Sequence, residues 1–328
     1  IQKQAYYYVK LSFSTVYSHN EPTCFLFLRM FFRTFAPRNK KQVIHYTCER
    51  NIENMQDLNN SELEKGLLRR SSLLLGADNM DRLGRAKVIL FGVGGVGSWC
   101  AESLVRSGLR HLTIVDADCV CITNCNRQLM ATVNTIGEPK VEALRSRLLD
   151  INPCAEITAI QRLYSKETAD EFHLEEYDFV IDAIDSLKDK ANLILHATSI
   201  PTVTLFSSMG AALRIDPTRV KVAEFWKVRN DPLGAALRKK LKRAKTIPQQ
   251  KFQCVYSDEL PLDNLGTEIE MPDSSDDPRL KEQATLIKKA QTNGSLSHIT
   301  GIFGFTLAGL VMQKITSFAV SADQEERD

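Results

Sequence analysis

No two of the eight cysteines, at positions 24, 48, 100, 119, 121, 125, 154 and 254, form a C-x-x-C pair. Tetrahedral thiolate zinc sites draw two ligands from one such knuckle, so a zinc ribbon is excluded. The scatter suits reduced thiols in a cytoplasmic protein rather than a disulfide framework. Charge of one sign is also lacking. Against 42 Lys and Arg stand 40 Asp and Glu, a formal net charge of +2. Bulk charge therefore announces no polyanionic partner, and any basic surface must be local. Long hydrophobic runs are missing too. The stretch 299–312 is about 14 residues long, against the roughly 20 that a bilayer span needs. Gln313 and Lys314 end it, so it reads as a buried core helix rather than a membrane span. Internal repeats are absent.

What is present is ordinary globular material: 328 residues, 43% apolar and 25% charged, enough for one large domain or two modest ones. Residues 1–54 show no helical or strand period. Their apolar stretch, 24–32, is broken by Arg29 and lacks the order of a secretory signal. They read as a poorly structured extension foreign to the working protein, which begins at Met55. Residues 61–83 read as a helix, with Leu63, Leu67, Leu74 and Leu75 apolar among charges, and Gly84 closes it. A short apolar strand at 86–91 leads into GVGGVG at 92–97. An amphipathic helix to Ser107, capped by Gly108, and a second strand at 111–115 follow. Strand, turn, helix, strand is a βαβ unit and implies a parallel sheet. Alternation continues with a helix from Pro139 to about Asp150 and a strand at 156–160. A short helix at 165–172, a strand at 178–183, a helix at 188–198 and a strand at 202–206 come next. The expectation is an α/β, doubly wound, Rossmann-like sheet. Beyond it a basic helix at 231–245, a strand at 252–256, an acidic loop at 258–278 and a last helix at 298–318 make a C-terminal α+β extension.

Gly92, Gly94 and Gly97 make a G-x-G-x-x-G turn between strand and helix, and Gly95 frees more backbone. Such a turn lets phosphate approach the N–H groups of a helix start. Asp116 fits an acid bridging ribose hydroxyls. Alone, this pattern says nucleotide and equally suits a dinucleotide dehydrogenase. The residues after Asp116 discriminate. Asp118, Asn124, Arg127 and Gln128 follow, then GEPK ending at Lys140. A dehydrogenase has no use for an Asn, an Arg and a Lys beside its ribose acid. A site that splits a triphosphate does, because charge builds on the α-phosphate and the leaving pyrophosphate. Lys140 stands at a helix start, and Arg127 offers a bidentate fork. Each cation alone reads equally well as a solvated surface charge.

These motifs resemble the ubiquitin-activating-enzyme superfamily, including the ThiF-type activators of sulfur-carrier proteins. The resemblance implies an ATP site built from Gly92, Gly94, Gly95, Gly97, Asp116, Asp118, Asn124, Arg127, Gln128 and Lys140, with Asp185 as a magnesium-linked aspartate. It also implies a homodimer in which Arg70, six residues before Gly76, reaches the neighbour's ATP site. A narrower match exists. GVGGVGSW at 92–99, VCITNCNRQ at 120–128, VIDAIDS at 180–186, IDPT at 215–218, CVYSDE at 254–259 and FGF at 303–305 resemble the tRNA threonylcarbamoyladenosine dehydratase family. That resemblance covers roughly residues 65–318. It implies an ATP-binding adenylation domain over 55–257, with a C-terminal helical part of the same domain over 279–328. It further implies ATP and Mg2+, a tRNA substrate and room for a sulfur-relay partner protein.

The implied reaction suits the residues. A carboxylate is a poor electrophile, adenylation gives it a leaving group, and the neighbouring ureido group then closes a ring intramolecularly. No covalent nucleophile is required. Cys254 resembles a family cysteine proposed for catalysis, although a lone strand Cys also reads as a small packed hydrophobe. The basic helix carrying Arg238, Lys239, Lys240, Lys242, Arg243 and Lys245 would lie along RNA phosphates. The alternative is an activator of a ubiquitin-like or sulfur-carrier protein. Such activators often carry paired C-x-x-C knuckles, which this chain lacks.

Overall fold

The computed structural model describes residues 60–266 and 293–316. The extension at 1–54 and the acidic loop beyond residue 266 lie outside the described residues. Seven strands form one sheet in the order β3-β2-β1-β4-β5-β7-β6. They are β1 (Lys87–Phe91), β2 (His111–Val115), β3 (Glu156–Ile160), β4 (Phe179–Asp182), β5 (Thr204–Ser208), β6 (Val220–Glu224) and β7 (Gln253–Ser257). All neighbouring pairs are parallel except β6 with β7. The mostly parallel Rossmann-like sheet is therefore as expected. The antiparallel strand β6 was not anticipated, because Val220–Glu224 reads VKVAE, with only partial burial and two exposed members.

Central strands are buried on both faces, which is why their sequences are nearly continuous apolar runs rather than alternations. The two faces still sort by a period of two. Val88 and Leu90 enter one core, and Ile89 and Phe91 the other. The first core is covered by α4 (Gly97–Ser107), α5 (Lys140–Ile151) and α8 (Ser297–Thr316), through Leu104, Leu144, Leu148, Phe303 and Leu307. The second is covered by α6 (Leu187–Ser199) and α7 (Pro232–Arg243), through Leu193, Ile194, Leu237 and Leu241. Each fully buried leucine contributes about 2 kcal/mol from apolar area removed from water.

Two helix readings change. Residues 61–83 are not one helix but three short ones, α1 (Asn60–Leu67), α2 (Arg69–Leu75) and α3 (Ala77–Arg85). Gly76 has φ +77°, so the path turns there, and Gly84 lies inside α3. The reading at 165–172 shortens to a single 3-10 turn, Ala169–Phe172. Helix α8 is long and apolar enough to cross a membrane by length and composition, yet half of it is buried. Ile299, Phe303, Leu307, Val311 and Ile315 lie on its core side, as expected of a core helix.

Strand order reverses between β1 and β4: the chain leaving β1 goes on to β2 on one side, and the chain leaving β4 goes on to β5 on the other. In open α/β sheets that switch point is where ligands bind. Gly92 follows β1, Asp116 follows β2 and Asp185 follows β4, so the fold delivers the three motifs to one edge.

Candidate active site

Gly92 leaves β1 with φ +85°, its N–H donating to Val115 O at 2.8 Å. A Cβ there would stand 2.6 Å from Ala183 O, and one at Gly97 would stand 1.9 Å from Gly92 O. Both positions demand glycine, and the turn is pressed against the loop after β4. At Gly94 the nearest atom to a Cβ would be Gln128 Nε2 at 3.8 Å, leaving that backbone open to a ligand. Gly95 faces Thr300 of α8 and the Arg127 stem. Ser98 Oγ donates to Gly94 O at 2.7 Å, tying the turn to the start of α4.

Asp116 is half-buried. Its Oδ2 accepts from Val93 N at 2.8 Å and its Oδ1 from Asp118 N at 2.9 Å. Burial raises its carboxyl above the usual carboxylate range, against the opposing pull of Lys140. Lys140 opens α5 and is buried, its Nζ 2.7 Å from Asp118 Oδ2 and its N–H bonded to Asp118 O at 2.9 Å. Asp118 thus holds the lysine in place. Asn124 folds its own loop, Oδ1 accepting from Cys121 N at 2.9 Å across the 3-10 turn Ile122–Asn124. Arg127 Nη1 donates to Thr123 O at 3.1 Å and Asn126 Oδ1 at 3.0 Å, while its carbonyl accepts from Trp99 Nε1 at 3.0 Å. Burial lowers the Arg127 guanidinium, and the nearby Asp185 carboxylate works the other way. Gln128 is buried with Oε1 lacking a partner. Asp185 is exposed, and among the described residues no hydrogen bond or ion pair engages its carboxylate.

The fold therefore assembles the glycine turn, Asp116, Arg127, Gln128, Lys140 and Asp185, and uses Asp118 and Asn124 to hold the loop between them. Two preorganised cations and a glycine turn with open backbone at Gly94 suit the phosphates of a nucleotide, and the Gln128 amide beside that turn, its oxygen an unpaired acceptor, suits a donor such as a hydroxyl or an amino group. Magnesium fits the donor set, since it takes one or two carboxylates together with phosphate oxygens.

Two anticipated residues stand elsewhere. Arg70 is exposed on α2, which buries none of its own residues, and among the described residues no hydrogen bond or ion pair joins it to the turn. Cys254 lies on β7, fully buried in the second core and paired in register with Ser207 and Ala223. Burial pushes its thiol well up. A thiol enclosed in this way packs as a small hydrophobe more readily than it presents a thiolate to substrate, which favours the packing reading of Cys254 over the catalytic one. Sequence reasoning missed Ser98, Trp99 and Thr300, which brace the turn. Ser98 and Trp99 were in view only as the tail of the GVGGVGSW motif, with no role assigned to either.

The ThiF family model matches residues 68–326. The chain is 40% identical over 193 residues to the tRNA threonylcarbamoyladenosine dehydratase of Bacillus subtilis (strain 168), covering 59% of this chain and 75% of the relative. It is 32% identical over 255 residues to the enzyme of that name from Escherichia coli (strain K12), covering 75% and 92%. The crystal structure of the E. coli tRNA N6-threonylcarbamoyladenosine dehydratase in complex with ATP superposes with a TM-score of 0.66 at 28% identity, over 79% of this chain and 98% of that one.

Proposed function

The chain belongs to the ThiF family, and from its similarity to the dehydratases of B. subtilis and E. coli we infer that it uses ATP to dehydrate N6-threonylcarbamoyladenosine in tRNA. The supporting observation is the set Arg127, Lys140 and Asp185 at the mouth of a glycine turn, in a chain that spans 92% of the E. coli dehydratase.

In this reading the triphosphate lies on the open backbone at Gly94, and Asp116 accepts from the ribose hydroxyls. The threonyl carboxylate oxygen attacks the α-phosphorus and pyrophosphate leaves. Arg127 and Lys140 face the charge that develops on both, and Lys140 exchanges Asp118 for phosphate. A magnesium ion held by Asp185 and the phosphate oxygens would supply further charge neutralisation. The ureido group then attacks the activated carbonyl. The C–O bond to AMP breaks, the ureido group loses its proton, and the ring closes. Because that step is intramolecular, proximity supplies most of what it needs. No cysteine takes part.

The basic face of α7 supports a tRNA substrate. Lys239, Lys240, Lys242 and Arg243 are exposed on it, with Lys245 just beyond its end, whereas Arg238 turns inward and its Nη1 donates to Phe225 O at 3.2 Å. Lys242 stands over the Trp226 ring at 5.7 Å. The apolar side chains of Leu73 and Leu74 beside Arg70, 79% and 78% exposed, fit a homodimer in which α2 packs on a second copy. We place this chemistry in the cytoplasm, where ATP and tRNA meet.

The test is AMP release from radiolabelled ATP. The reading expects release with tRNA carrying threonylcarbamoyladenosine and none with tRNA lacking it. Equal release with both tRNAs would overturn it.

A further inference from the structure

Asp182 ends β4 and Lys190 lies in α6. Both side chains are wholly enclosed, with Nζ 2.8 Å from Oδ2. An ion pair removed from water adds little net stability, because desolvation offsets the attraction, and apolar residues of similar volume often serve as well. An apolar pair cannot, however, bond the backbone. Lys190 Nζ donates to Ile184 O at 3.0 Å, and Ile184 N donates to Asp182 Oδ1 at 3.1 Å. Both peptide planes flanking Ile184 are thereby held. Ser207 Oγ on β5 donates to Asp182 Oδ2 at 2.7 Å and fixes that carboxylate in turn.

A second clamp lies just beyond. Ser186 caps α6, its Oγ accepting from Asp189 N at 3.4 Å and donating to Asp189 Oδ2 at 2.7 Å. Asp185 stands between the two clamps, its backbone fixed on both sides and its carboxylate unengaged. The clamped loop is also the one that the glycine turn touches. Ala183 O and Ile184 N lie 2.6 and 3.1 Å from where a Gly92 Cβ would be.

We propose that Lys190 is a positioning residue: through Asp182 and the Ile184 carbonyl it sets Asp185 against the phosphate turn before nucleotide arrives. The proposal rests on the ATP-site reading given above. A reacting group held within a fraction of an ångström avoids reorganisation when the ligand binds, and misplacement by about 1 Å costs on the order of 100-fold in rate.

The test pairs Lys190→Met with Asp182→Asn, which removes the charge pair together, keeps Oδ1 as the acceptor for Ile184 N and turns the Ser207 contact into one in which the amide NH2 donates to Ser207 Oγ. The full chain is compared with Asp185→Asn and with Leu148→Ala, a cavity in the opposite core. Calorimetry measures ATP binding with and without magnesium, and AMP release gives the rate. The double variant should bind ATP alone as the parent does. Its half-saturating magnesium should rise about tenfold or more, the range seen when groups behind a metal ligand are altered. Leu148→Ala should lose thermal stability without that shift. A folded double variant whose magnesium dependence and rate both match the parent overturns the proposal. If Asp185→Asn is equally silent, the ATP-site reading itself fails. Hydrogen exchange on the unaltered protein is a check that needs no variant to fold. The Ile184 amide should exchange as slowly as those of β4, and fast exchange there would also overturn the proposal.

Discussion

Arg127 and Lys140 reach the site by different routes. The first is held by its own loop and the second by Asp118. If both serve the developing phosphate charge, as proposed, Arg127→Ala or Lys140→Ala should each cost on the order of 2–4 kcal/mol of transition-state stabilisation. The measurement is kcat/KM for AMP release, and near-parental values in both variants would remove the mechanism. The role proposed for Asp116 is binding, so its variants should behave differently. Its carboxyl is raised by burial, so the charged form that ribose hydroxyls require is lost as pH falls through a value above the ordinary carboxylate range. ATP affinity should decline over that window in calorimetry, and Asp116→Asn should bind weakly with a flattened profile. Most of these residues were legible in the sequence because glycines, an acid and cations recur at fixed spacing. Cys254 was not. A strand thiol reads the same in sequence whether it faces a cleft or a core, and it is the second core, packed on its face of the sheet, that encloses it.

At the scale of elements, α8 seats its small residues against the start of α4. A Cβ on Gly304 would lie 2.5 Å from Val96 O and 2.8 Å from Cys100 N. Backbone cannot yield as a flexible side chain would, so Gly304→Ala should destabilise by about 1–3 kcal/mol, the usual cost of overpacking. It should also loosen the glycine turn, seen as a lower Tm together with weaker ATP binding. Glu102 of α4 is clamped by Arg106 at 2.8 Å and by Arg147 of α5 at 2.7 Å. Burial works to raise its carboxyl, but the two arginines outweigh burial and the net shift is downward. The stability it contributes is therefore present above its unfolded value and lost as pH falls through its folded one. Glu102→Gln should flatten the acid limb of Tm against pH. The strands and longer helices were readable because buried parallel strands are continuous apolar runs. The segment before β1 was misread because its leucines keep a helical period across Leu68 and Gly76, and the φ of +77° at Gly76 leaves no mark in the pattern beyond the glycine itself.

For the whole molecule, charge is nearly balanced overall yet concentrated on α7, so substrate affinity should be local and salt-dependent. Lys239→Glu with Lys240→Glu should weaken tRNA binding and reduce the slope of log affinity against log salt, by roughly 0.7–0.9 for each phosphate no longer neutralised. ATP affinity should be unchanged. Leu73→Lys with Leu74→Lys should shift sedimentation from dimer to monomer if α2 is where two copies meet. The central claim concerns chemistry on a nucleoside, and one measurement addresses it most directly. Purified protein is incubated with ATP, magnesium and tRNA bearing threonylcarbamoyladenosine, and the digested nucleosides are weighed by mass spectrometry. The account expects that nucleoside to lose one water, with AMP formed in step. An unchanged nucleoside, under conditions where the protein binds both ATP and the tRNA, would contradict it.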